Sequence, residues 1–251
     1  MYPELLHIGS FVLSTYGVLL ALAFAVSLWL AVRASARMPR QRAPLSGELL
    51  VDWAGWAMIG GLVGGRALYV MLNWPVYASA PLEIVAIWHG GLVWYGGFAG
   101  GMAASVWYFH RHRVAVLPGV DQLIPFVALG HAIGRLGCFA NGCCYGMASA
   151  AWYGVQFPHL PEPVVPTQLL ESLGLAGLYL ILRRLQSSAR ARPGTVFGAY
   201  LIGYGLLRWV LEYWRANPTL LWEAVTLSQL ISACAVLAGL WLIIRRRAPL
   251  S

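Results

Sequence analysis

The sequence predicts an all-α integral membrane protein with seven transmembrane helices, and three observations lead to this fold class. The first is composition: 59% of the 251 residues are hydrophobic and only 10% are charged, whereas soluble domains carry about 25% charged residues. The second is a set of seven long apolar stretches, and the third is a one-sided distribution of arginine between them. The formal charge of +8 does not indicate nucleic acid as a partner, because nucleic-acid modules present their basic residues on a soluble face.

Each apolar stretch is close to the length of about 20 residues that a helix needs to cross the hydrocarbon core of a bilayer. Three stretches contain no charged residue: 11–32, 90–109 and 224–244. Four others carry one or two charged residues within an apolar run: 49–72, 120–138, 165–182 and 194–214. No repeat or linker divides the sequence, so we expect one polytopic membrane domain over residues 1–251.

The arginines between the spans orient the bundle. Thirteen of them follow odd-numbered spans: Arg33, Arg37, Arg40, Arg42, Arg111, Arg113, Arg183, Arg184, Arg190, Arg192, Arg245, Arg246 and Arg247. Only Arg215 follows an even-numbered span. Because cytoplasmic loops carry the excess of basic residues, we expect the N-terminus outside and the C-terminus in the cytoplasm.

Three further arginines, Arg66, Arg135 and Arg208, lie within the apolar stretches. An arginine inside a span costs about 2.5–3.5 kcal/mol on insertion scales, so it usually faces a polar interior. One hypothesis is a lipid-phosphate site, because the guanidinium group is always charged and binds phosphate through two parallel hydrogen bonds. The alternative is a set of buried ion pairs with acidic residues of the spans, namely Asp52, Glu171 and Glu212. Glu212 follows Arg208 by four residues, so the two share a helix face.

Two glycine clusters have the small-xxx-small spacing that allows helices to pack closely. They comprise Gly60, Gly61, Gly64 and Gly65 in the second span and Gly96, Gly97, Gly100 and Gly101 in the third. At the outer end of the third span, His89 and Tyr95 flank the pair Gly90-Gly91. We expect the flexible backbone of this pair to bring amide groups close to a lipid head group.

The densest polar segment, residues 130–146, begins within the fourth span and contains Cys138, Cys143 and Cys144. The C-x4-C-C spacing is unusual for structural zinc, and adjacent ligands are geometrically awkward, so we expect no metal and no other cofactor. A disulfide between Cys138 and Cys143 or Cys144 is open on the outer side of a membrane, and so are free thiols that line a polar cleft. Cys234, in the last span, is expected to be inert packing.

Several motifs in this sequence resemble those of the prolipoprotein diacylglyceryl transferase family. The segment GRLGCFANG at residues 134–142, followed by Gly146, resembles the family's signature. Other matches follow in the family's order: Tyr16-Gly17 in the first span, Gly64-Gly65-Arg66 with Tyr69 in the second, Pro166-Thr167-Gln168-Leu169-Leu170-Glu171 in the fifth, and Tyr204-Gly205-Leu206-Leu207-Arg208 with Glu212 and Arg215 in the sixth. The resemblance covers nearly the whole chain.

This resemblance implies an enzyme of the bacterial cytoplasmic (inner) membrane that carries out the first step of lipoprotein maturation. A diacylglyceryl group passes from phosphatidylglycerol to the lipobox cysteine in the signal peptide of a prolipoprotein, and glycerol phosphate leaves. Arg135 and Arg208 then have a catalytic role, because preorganised positive charge stabilises an anionic leaving group. The implied lipid-binding residues are Tyr16, Arg66, Arg135, Asn141, Gly146, Tyr204, Arg208 and Glu212.

The sequence departs from the family where the acceptor thiol would be activated. Tyr95 stands where the family usually has histidine, and Cys138 and Cys143 replace an asparagine and an acidic residue. An imidazole is the natural base near neutral pH, whereas a tyrosine needs a strongly lowered pKa. The candidate bases are His89, His131 and Tyr95, and His131 is disfavoured because it shares a helix face with Arg135, whose positive charge would lower its pKa. We therefore expect His89 to be the catalytic base and Tyr95 to orient lipid or thiol, with Cys138, Cys143 and Cys144 as cleft thiols.

Two other functions stay open at this point. A paralogue could move the lipid group to a different acceptor through Cys138 or Cys143 as a transient nucleophile, because a nearby positive charge such as Arg135 favours the thiolate. A lipid-binding or transport bundle without chemistry is the other, although the sequence lacks the internal repeats typical of transporters.

Overall fold

The computed structural model describes residues 4–8, 11–188, 192–216, 220–222 and 225–245. In chain order the elements are strands β1 (Glu4–Ile8) and β2 (Phe11–Ser14), helices α1 (Thr15–Ser35), α2 (Gly47–Leu72), α3 (Trp74–Ser79), α4 (Trp94–Arg111), α5 (Val116–Ala140), α6 (Thr167–Ser187) and α7 (Thr195–Glu212), strands β3 (Leu220–Trp222) and β4 (Val225–Thr226), and helix α8 (Leu227–Arg245). Two short 3-10 helices, Pro81–Val85 and Ile87–His89, lie between α3 and α4.

Seven of the described helices have 18 residues or more, and each overlaps one of the predicted apolar stretches. Within the described residues, four of them (α1, α2, α5 and α8) are long and apolar enough to cross a membrane. The helical architecture is therefore consistent with an integral membrane protein. That α4, α6 and α7 also cross the bilayer, and the orientation of the bundle, remain predictions.

Capping defines where two of the long helices begin. Ser46 precedes α2, and its hydroxyl accepts a hydrogen bond from the Leu49 amide at 3.3 Å. At α7 the acceptor comes from α5, where the Asp121 carboxylate accepts hydrogen bonds from the amides of Gly194 and Phe197 at 2.6 and 2.8 Å. These contacts are favourable because the first amides of a helix have no partner within the helix. Asp121, a charged residue of a predicted span, thus ties α5 to α7.

Two antiparallel hairpins were not anticipated by the apolar pattern. β1 pairs with β2 from Glu4 opposite Ser14 to Ile8 opposite Phe11, so residues 11–14 of the first predicted span are strand and the helix begins only at Thr15. β3 pairs with β4 before α8. Short apolar runs are ambiguous between helix and strand by periodicity alone, and here an adjacent partner strand decides the outcome.

The described residues form two compact units. One contains the residues up to Ala31 and those from Val120 onward, and the other comprises Val32–Gly119. In the first unit, α5, α6 and α7 enclose an apolar core in which Ala128, Leu175 and Leu182 are fully buried. That residues 1–251 act as one membrane domain remains a prediction.

In the second unit, α2 and α4 approach each other through glycines. A Cβ atom at Gly64 would lie 2.9 Å from the Cα atom of Gly100, and one at Gly60 would lie 2.8 Å from the Gly100 carbonyl oxygen. Trp56 and Trp107 pack edge to face across the same helix pair, with ring centroids 5.2 Å apart. The close helix contact expected from the small-xxx-small spacing is confirmed.

Candidate active site

A buried carboxylate, Glu171 of α6, gathers polar side chains from α5 and α7. Its Oε2 atom lies 2.7 Å from Nη2 of Arg135, and the Tyr204 hydroxyl donates a hydrogen bond to Oε1 at 3.1 Å. The Nε2 atom of His131 lies 3.7 Å from the same Oε1 atom. Removing a carboxylate from water is costly unless charged or hydrogen-bonding partners offset the lost hydration, and these three residues supply them.

A second buried carboxylate, Glu212, joins two further arginines at the end of α7. Its Oε2 atom lies 2.8 Å from Nη2 of Arg208, one turn earlier, and 3.5 Å from Nη1 of Arg215, three residues later. The spacing of four residues predicted the pair with Arg208, and the structure confirms it. Arg208 also lies close enough to His131 and Tyr204 to act on both electrostatically, so the two ion-pair groups belong to one site.

The arginine cluster, which we define as Arg135, Arg208 and Arg215, carries more charge than its carboxylate partners neutralise. Three guanidinium groups share two carboxylates, so one positive charge is in excess when the neighbouring imidazole is neutral. The Nε atom of Arg135 is buried and has no hydrogen-bond partner within the described residues. Because a buried donor without a partner is costly, this arrangement favours a bound anion.

Three thiols lie together at the C-terminal end of α5 and in the turn that follows it. The Sγ atoms of Cys138, Cys143 and Cys144 are all within 4.8 Å of one another, and all three cysteines are free, so the disulfide alternative is not formed. The chain reverses here because Gly142 and Cys144 adopt φ angles of +70° and +63°, and the Cys143 amide donates a hydrogen bond to the Cys138 carbonyl at 3.1 Å. The reversal brings two adjacent cysteines to one place, which overcomes the geometric objection raised by their spacing.

Two buried side chains at the start of α6 hold this cysteine turn, residues 138–144. The Nε2 atom of Gln168 donates a hydrogen bond to the Cys143 carbonyl at 2.6 Å, and the Thr167 hydroxyl donates one to the Cys144 carbonyl at 3.0 Å. The turn is therefore anchored to the same helix that carries Glu171. A loop held through its own carbonyl groups keeps its side chains in a defined arrangement.

The electrostatic surroundings of the thiols include Tyr16 of α1 and Arg135, both of which interact with Cys138. The pKa of the Cys144 thiol, which lies beyond the end of α5, is lowered to about 5. The largest cause is a hydrogen bond from the Cys138 thiol, and a hydrogen bond from Cys143 and the positive charge of nearby arginines act in the same direction.

Gly146 lies where the loop after the cysteine turn meets the end of α7. Its amide donates a hydrogen bond to the Val165 carbonyl at 2.9 Å, and the Met147 amide donates one to the Trp214 carbonyl at 2.7 Å. A Cβ atom at residue 146 would come within 2.9 Å of the side chains of Val165 and Thr167. Close packing of the backbone therefore accounts for glycine at this position.

In the second unit, Arg66 is committed to backbone carbonyl groups, which contradicts the prediction that it binds the lipid phosphate. It donates hydrogen bonds at 2.5–3.3 Å to the carbonyl oxygens of five residues: Glu83, Ile84, Ala86, Gly90 and Gly91. The residue is only 6% exposed, and a guanidinium group has five N–H donors, so none is left for a phosphate. Arg66 instead holds the loop between α3 and α4.

The same loop corrects two further expectations. Gly90 and Gly91 have φ angles of +83° and +82°, and their carbonyl groups accept hydrogen bonds from Arg66. The Gly90 amide, which was predicted to face a head group, donates a hydrogen bond to the Ile87 carbonyl at 3.1 Å. Asp52, a predicted ion-pair partner for the arginines of the spans, interacts with Tyr108. The ion-pair alternative therefore describes Arg135 and Arg208 but not Arg66.

The loop held by Arg66 presents an imidazole and a carboxylate side by side. Nδ1 of His89 lies 2.8 Å from Oε2 of Glu83, and the two side chains are 60% and 49% exposed. A carboxylate on Nδ1 orients an imidazole and leaves Nε2 as its basic atom. Tyr95, in the first turn of α4, is 68% exposed and packs edge to face on Trp94 with ring centroids 5.3 Å apart.

Comparison with known proteins identifies the family. The family model described as prolipoprotein diacylglyceryl transferase matches residues 3–245. This chain belongs to that family. A phosphatidylglycerol–prolipoprotein diacylglyceryl transferase of Rhodospirillum rubrum is 37% identical over 266 residues, covering 99% of this chain and 94% of that protein. Proteins of the same name from Methylobacillus flagellatus and Lactobacillus acidophilus are 34% and 30% identical, covering 96% and 98% of this chain and 95% and 90% of theirs.

In this member of the prolipoprotein diacylglyceryl transferase family, the predicted site residues divide between the two units. The unit that holds Glu171 also contains Tyr16, Arg135, Cys138, Asn141, Cys143, Cys144, Gly146, Tyr204, Arg208 and Glu212. Arg66, His89 and Tyr95 belong to the other unit. The roles of these residues in the diacylglyceryl transferase reaction remain predictions, with Arg66 reassigned as above.

Sequence reasoning left three contributing residues out of the predicted diacylglyceryl transferase site: Glu171, Gln168 and Glu83. The first two lie in the fifth-span motif that resembles the family, so a signal for them existed. Glu83 precedes His89 by six residues in a non-helical loop, and no regular spacing marks such a pair. Arg215, for which no partner was predicted, lies three residues after Glu212, a helical spacing that predicts their contact.

Proposed function

We propose that this chain is a phosphatidylglycerol–prolipoprotein diacylglyceryl transferase of the bacterial cytoplasmic (inner) membrane. Its donor is phosphatidylglycerol, its acceptor is the thiol of the lipobox cysteine in a prolipoprotein signal peptide, and glycerol phosphate is released. Relatives that carry this name align with nearly the whole chain at 30–37% identity. The lipid bilayer supplies the donor and holds the enzyme.

The observation that carries the proposal is the excess positive charge of the arginine cluster. A phosphodiester bears one negative charge, which matches the one guanidinium charge that Glu171 and Glu212 leave unpaired. The Nε donor of Arg135, without a partner among the described residues, gains one if a phosphate oxygen binds. Burial strengthens such an interaction, because charges attract more strongly where water is excluded.

The reaction is a substitution at carbon. The thiolate sulfur attacks the glycerol carbon that bears the phosphate, a C–S bond forms, and the C–O bond breaks with its electron pair left on the phosphate oxygen. Negative charge on the leaving glycerol phosphate increases as this bond breaks. Arg135 and Arg208 bind that charge more tightly in the transition state than in the lipid, which lowers the barrier.

The remaining residues of this unit support the two arginines. Glu171, which accepts a hydrogen bond from Tyr204, positions Arg135, and Glu212 positions Arg208, as their contacts indicate. We assign contacts with the head group to three other residues of the same unit, namely Tyr16, Asn141 and Gly146. An arginine held at one end by a carboxylate presents its other donors in a fixed orientation, and fixed donors need no reorganisation during the reaction.

His89 is the proposed base, with Glu83 as the residue that orients it and Tyr95 as the residue that orients lipid or thiol. The 2.8 Å contact between His89 and Glu83 supports this assignment, because a carboxylate partner stabilises the imidazolium that forms on proton transfer. Arg66 serves by holding the loop that carries the pair.

We further propose that all seven long helices cross the membrane, with the N-terminus outside. For α4, α6 and α7 the support is their overlap with the predicted apolar stretches and the strong bias of arginine to alternate connections. The cysteine turn then belongs to the outer side, where a secreted acceptor arrives.

Transfer of labelled lipid tests the proposal directly. The full-length chain is purified into nanodiscs that contain phosphatidylglycerol labelled in its acyl chains, and a lipobox peptide is added. We expect label on the peptide, none on a matched peptide with serine in place of the cysteine, and none when only the glycerol head group carries the label. Lipid binding without peptide modification would indicate a binding bundle. A lipid adduct on Cys138 of the enzyme would indicate a covalent mechanism instead.

A further inference from the structure

The cysteine turn brings three ligand atoms to one point. We propose that Cys138, Cys143 and Cys144 bind one zinc ion, and that the open coordination position of this ion takes up the acceptor thiol. The inference rests on the proposed function for the identity of the acceptor, and it deepens that function by assigning how the thiol is activated. It also replaces the expectation of no metal, which depended on the spacing of the cysteines alone.

The positions of the sulfur atoms fit such an ion. The three Sγ atoms lie within 4.8 Å of one another, and tetrahedral zinc with Zn–S bonds of about 2.3 Å places its sulfur ligands about 3.8 Å apart. The sulfur atoms therefore need to approach one another by about 1 Å at most to bind one zinc ion. Thiolate is also the ligand that selects zinc over magnesium or calcium.

The turn is built to hold these side chains in place. Cys144 has a φ of +63°, a conformation that is unfavourable for a non-glycine residue and that concentrates at functional sites. The carbonyl groups of Cys143 and Cys144 are fixed by the buried side chains of Gln168 and Thr167. Contacts of this kind orient the ligands of metal sites and are part of their affinity.

The cysteine turn supplies three zinc ligands and leaves the fourth coordination position open to other molecules. Cys138 and Cys143 are half-buried and Cys144 is exposed, so the ion is reachable from outside the turn. Zinc with three protein ligands and one exchangeable position is the arrangement of catalytic sites, whereas structural sites have four protein ligands. Zinc with three thiolates carries one net negative charge and lies in the field of Arg135, which interacts electrostatically with Cys138 and Cys144.

The zinc ion would supply the thiolate that the substitution requires. The acceptor thiol binds the open position through sulfur and is deprotonated by coordination, and its proton passes to the general base. The zinc-bound sulfur attacks the glycerol carbon, the C–S bond forms, and the C–O bond breaks toward phosphate. The thioether product is a neutral, weak ligand and leaves the ion. No oxidant or reductant takes part. Activation by zinc would also not require a histidine at position 95, where this chain has Tyr95 and the family usually has histidine.

Metal content is the first test, with Cys234 as the matched control. Cys234 lies in α8 and is not among the three clustered cysteines. We expect one zinc per chain in the native protein and in Cys234→Ser, and a loss of about tenfold or more in zinc affinity for Cys138→Ser, Cys143→Ser and Cys144→Ser. Cobalt in place of zinc should give a thiolate-to-metal charge-transfer band in the near ultraviolet that the three cluster variants lack.

The native protein provides a test that does not depend on the folding of variants. Zinc should protect the three cluster cysteines from alkylation, while Cys234 reacts equally with and without the metal. Copper in place of zinc, a disulfide among the cluster cysteines, or equal alkylation of all four cysteines in the presence of zinc would overturn the proposal.

The open position is tested with the peptide alone. Addition of the lipobox cysteine peptide to the cobalt-loaded, full-length protein should shift the charge-transfer band without any lipid present, and the serine peptide should not. Removal of zinc should lower lipid transfer by about 100-fold, within the range for loss of an activating group. Full transfer after verified loss of zinc would overturn the zinc proposal and leave the proposed function intact. A shift of the charge-transfer band on addition of the cysteine peptide, with no lipid transfer under any condition, would support the zinc site and overturn the proposed function.

Discussion

Arginine has two different uses among the buried residues of this chain. Arg66 donates all its hydrogen bonds to backbone carbonyl groups of one loop, whereas Arg135 and Arg208 each pair with a carboxylate. Carbonyl groups are neutral and cannot cancel a guanidinium charge, but they saturate its donors. A carboxylate leaves some donors of its arginine partner unused, and three guanidinium groups on two carboxylates leave one positive charge as well, which suits a phosphate.

Replacement of Arg135 tests the phosphate role at the scale of one residue. Arg135→Ala should abolish lipid transfer, and Arg135→Lys should lower the rate by about 100-fold, because lysine keeps the charge but loses the planar fork. The same results are expected at Arg208: Arg208→Ala should abolish transfer, and Arg208→Lys should lower the rate by about 100-fold. The measurement is the labelled-lipid assay on protein whose folding is confirmed by its thermal transition.

Arg111→Lys is the control for this series, since Arg111 lies at the end of α4, away from the arginine cluster in the sequence and in the other unit. It should change the rate by less than about twofold, as expected for an ordinary surface substitution. Near-native activity of either alanine variant would mean that its arginine serves only as a structural ion pair.

A second prediction at the scale of single residues concerns His89 and Glu83. His89→Ala should lower the rate by about 100-fold or more, the range for loss of a general base, and added imidazole should restore part of the activity. Glu83→Gln should lower the rate less, and Tyr95→Phe should raise the KM more than it lowers kcat. A His89→Ala variant that imidazole does not rescue, or that retains native activity, would remove His89 from the role of base.

At the scale of elements, glycine decides how α2 and α4 meet. The helices are in contact backbone to backbone at Gly60, Gly64 and Gly100, a distance that no other residue permits. Gly55, on the same helix α2, has nothing within 4 Å of an added Cβ atom. Replacing Gly55 and Gly64 of α2 by alanine, one at a time, therefore distinguishes the effect of helix propensity from the effect of packing against α4.

We expect Gly64→Ala to destabilise the protein by about 1–3 kcal/mol, the usual cost of overpacking, and Gly55→Ala to stabilise it by up to about 1 kcal/mol through helix propensity. Thermal unfolding in detergent measures both. Equal transition temperatures for the two variants would show that close packing of α2 on α4 does not contribute to stability.

At the scale of the whole molecule, the distribution of arginine predicts the orientation in the membrane. Reporter tags inserted after Arg40 and after His112 should report the cytoplasm, and a tag after Trp152, in the loop that follows the cysteine turn, should report the outside. Tags at Arg190 and Ser251, which lie outside the described residues, should also report the cytoplasm. An outside signal at any two of the cytoplasmic positions would contradict the seven-span topology.

The approximate positions of the seven long helices among the described residues followed from the sequence, because a long apolar run in a bilayer satisfies its backbone hydrogen bonds within a helix. Residues 11–14 are an exception, since they pair with β1 as a strand. The pair of Arg208 and Glu212 and the glycine contact of α2 with α4 also followed from the sequence, since both depend on a regular helical spacing. Helical periodicity can be recognised in the sequence itself, so these helices and contacts can be predicted before the tertiary structure is known.

The cysteine turn, the partners of Arg66 and the pair of Glu83 with His89 were decided by the tertiary structure. Each depends on an irregular backbone: positive φ angles after α5, and a loop between α3 and α4 that is folded onto one guanidinium group. In such segments the direction of a side chain is set by contacts with residues far away in the chain, and sequence spacing no longer predicts which groups meet. The loops therefore determine the cysteine turn and the pair of Glu83 with His89, whereas Arg135, Arg208 and their carboxylate partners lie on helices, where regular spacing is informative.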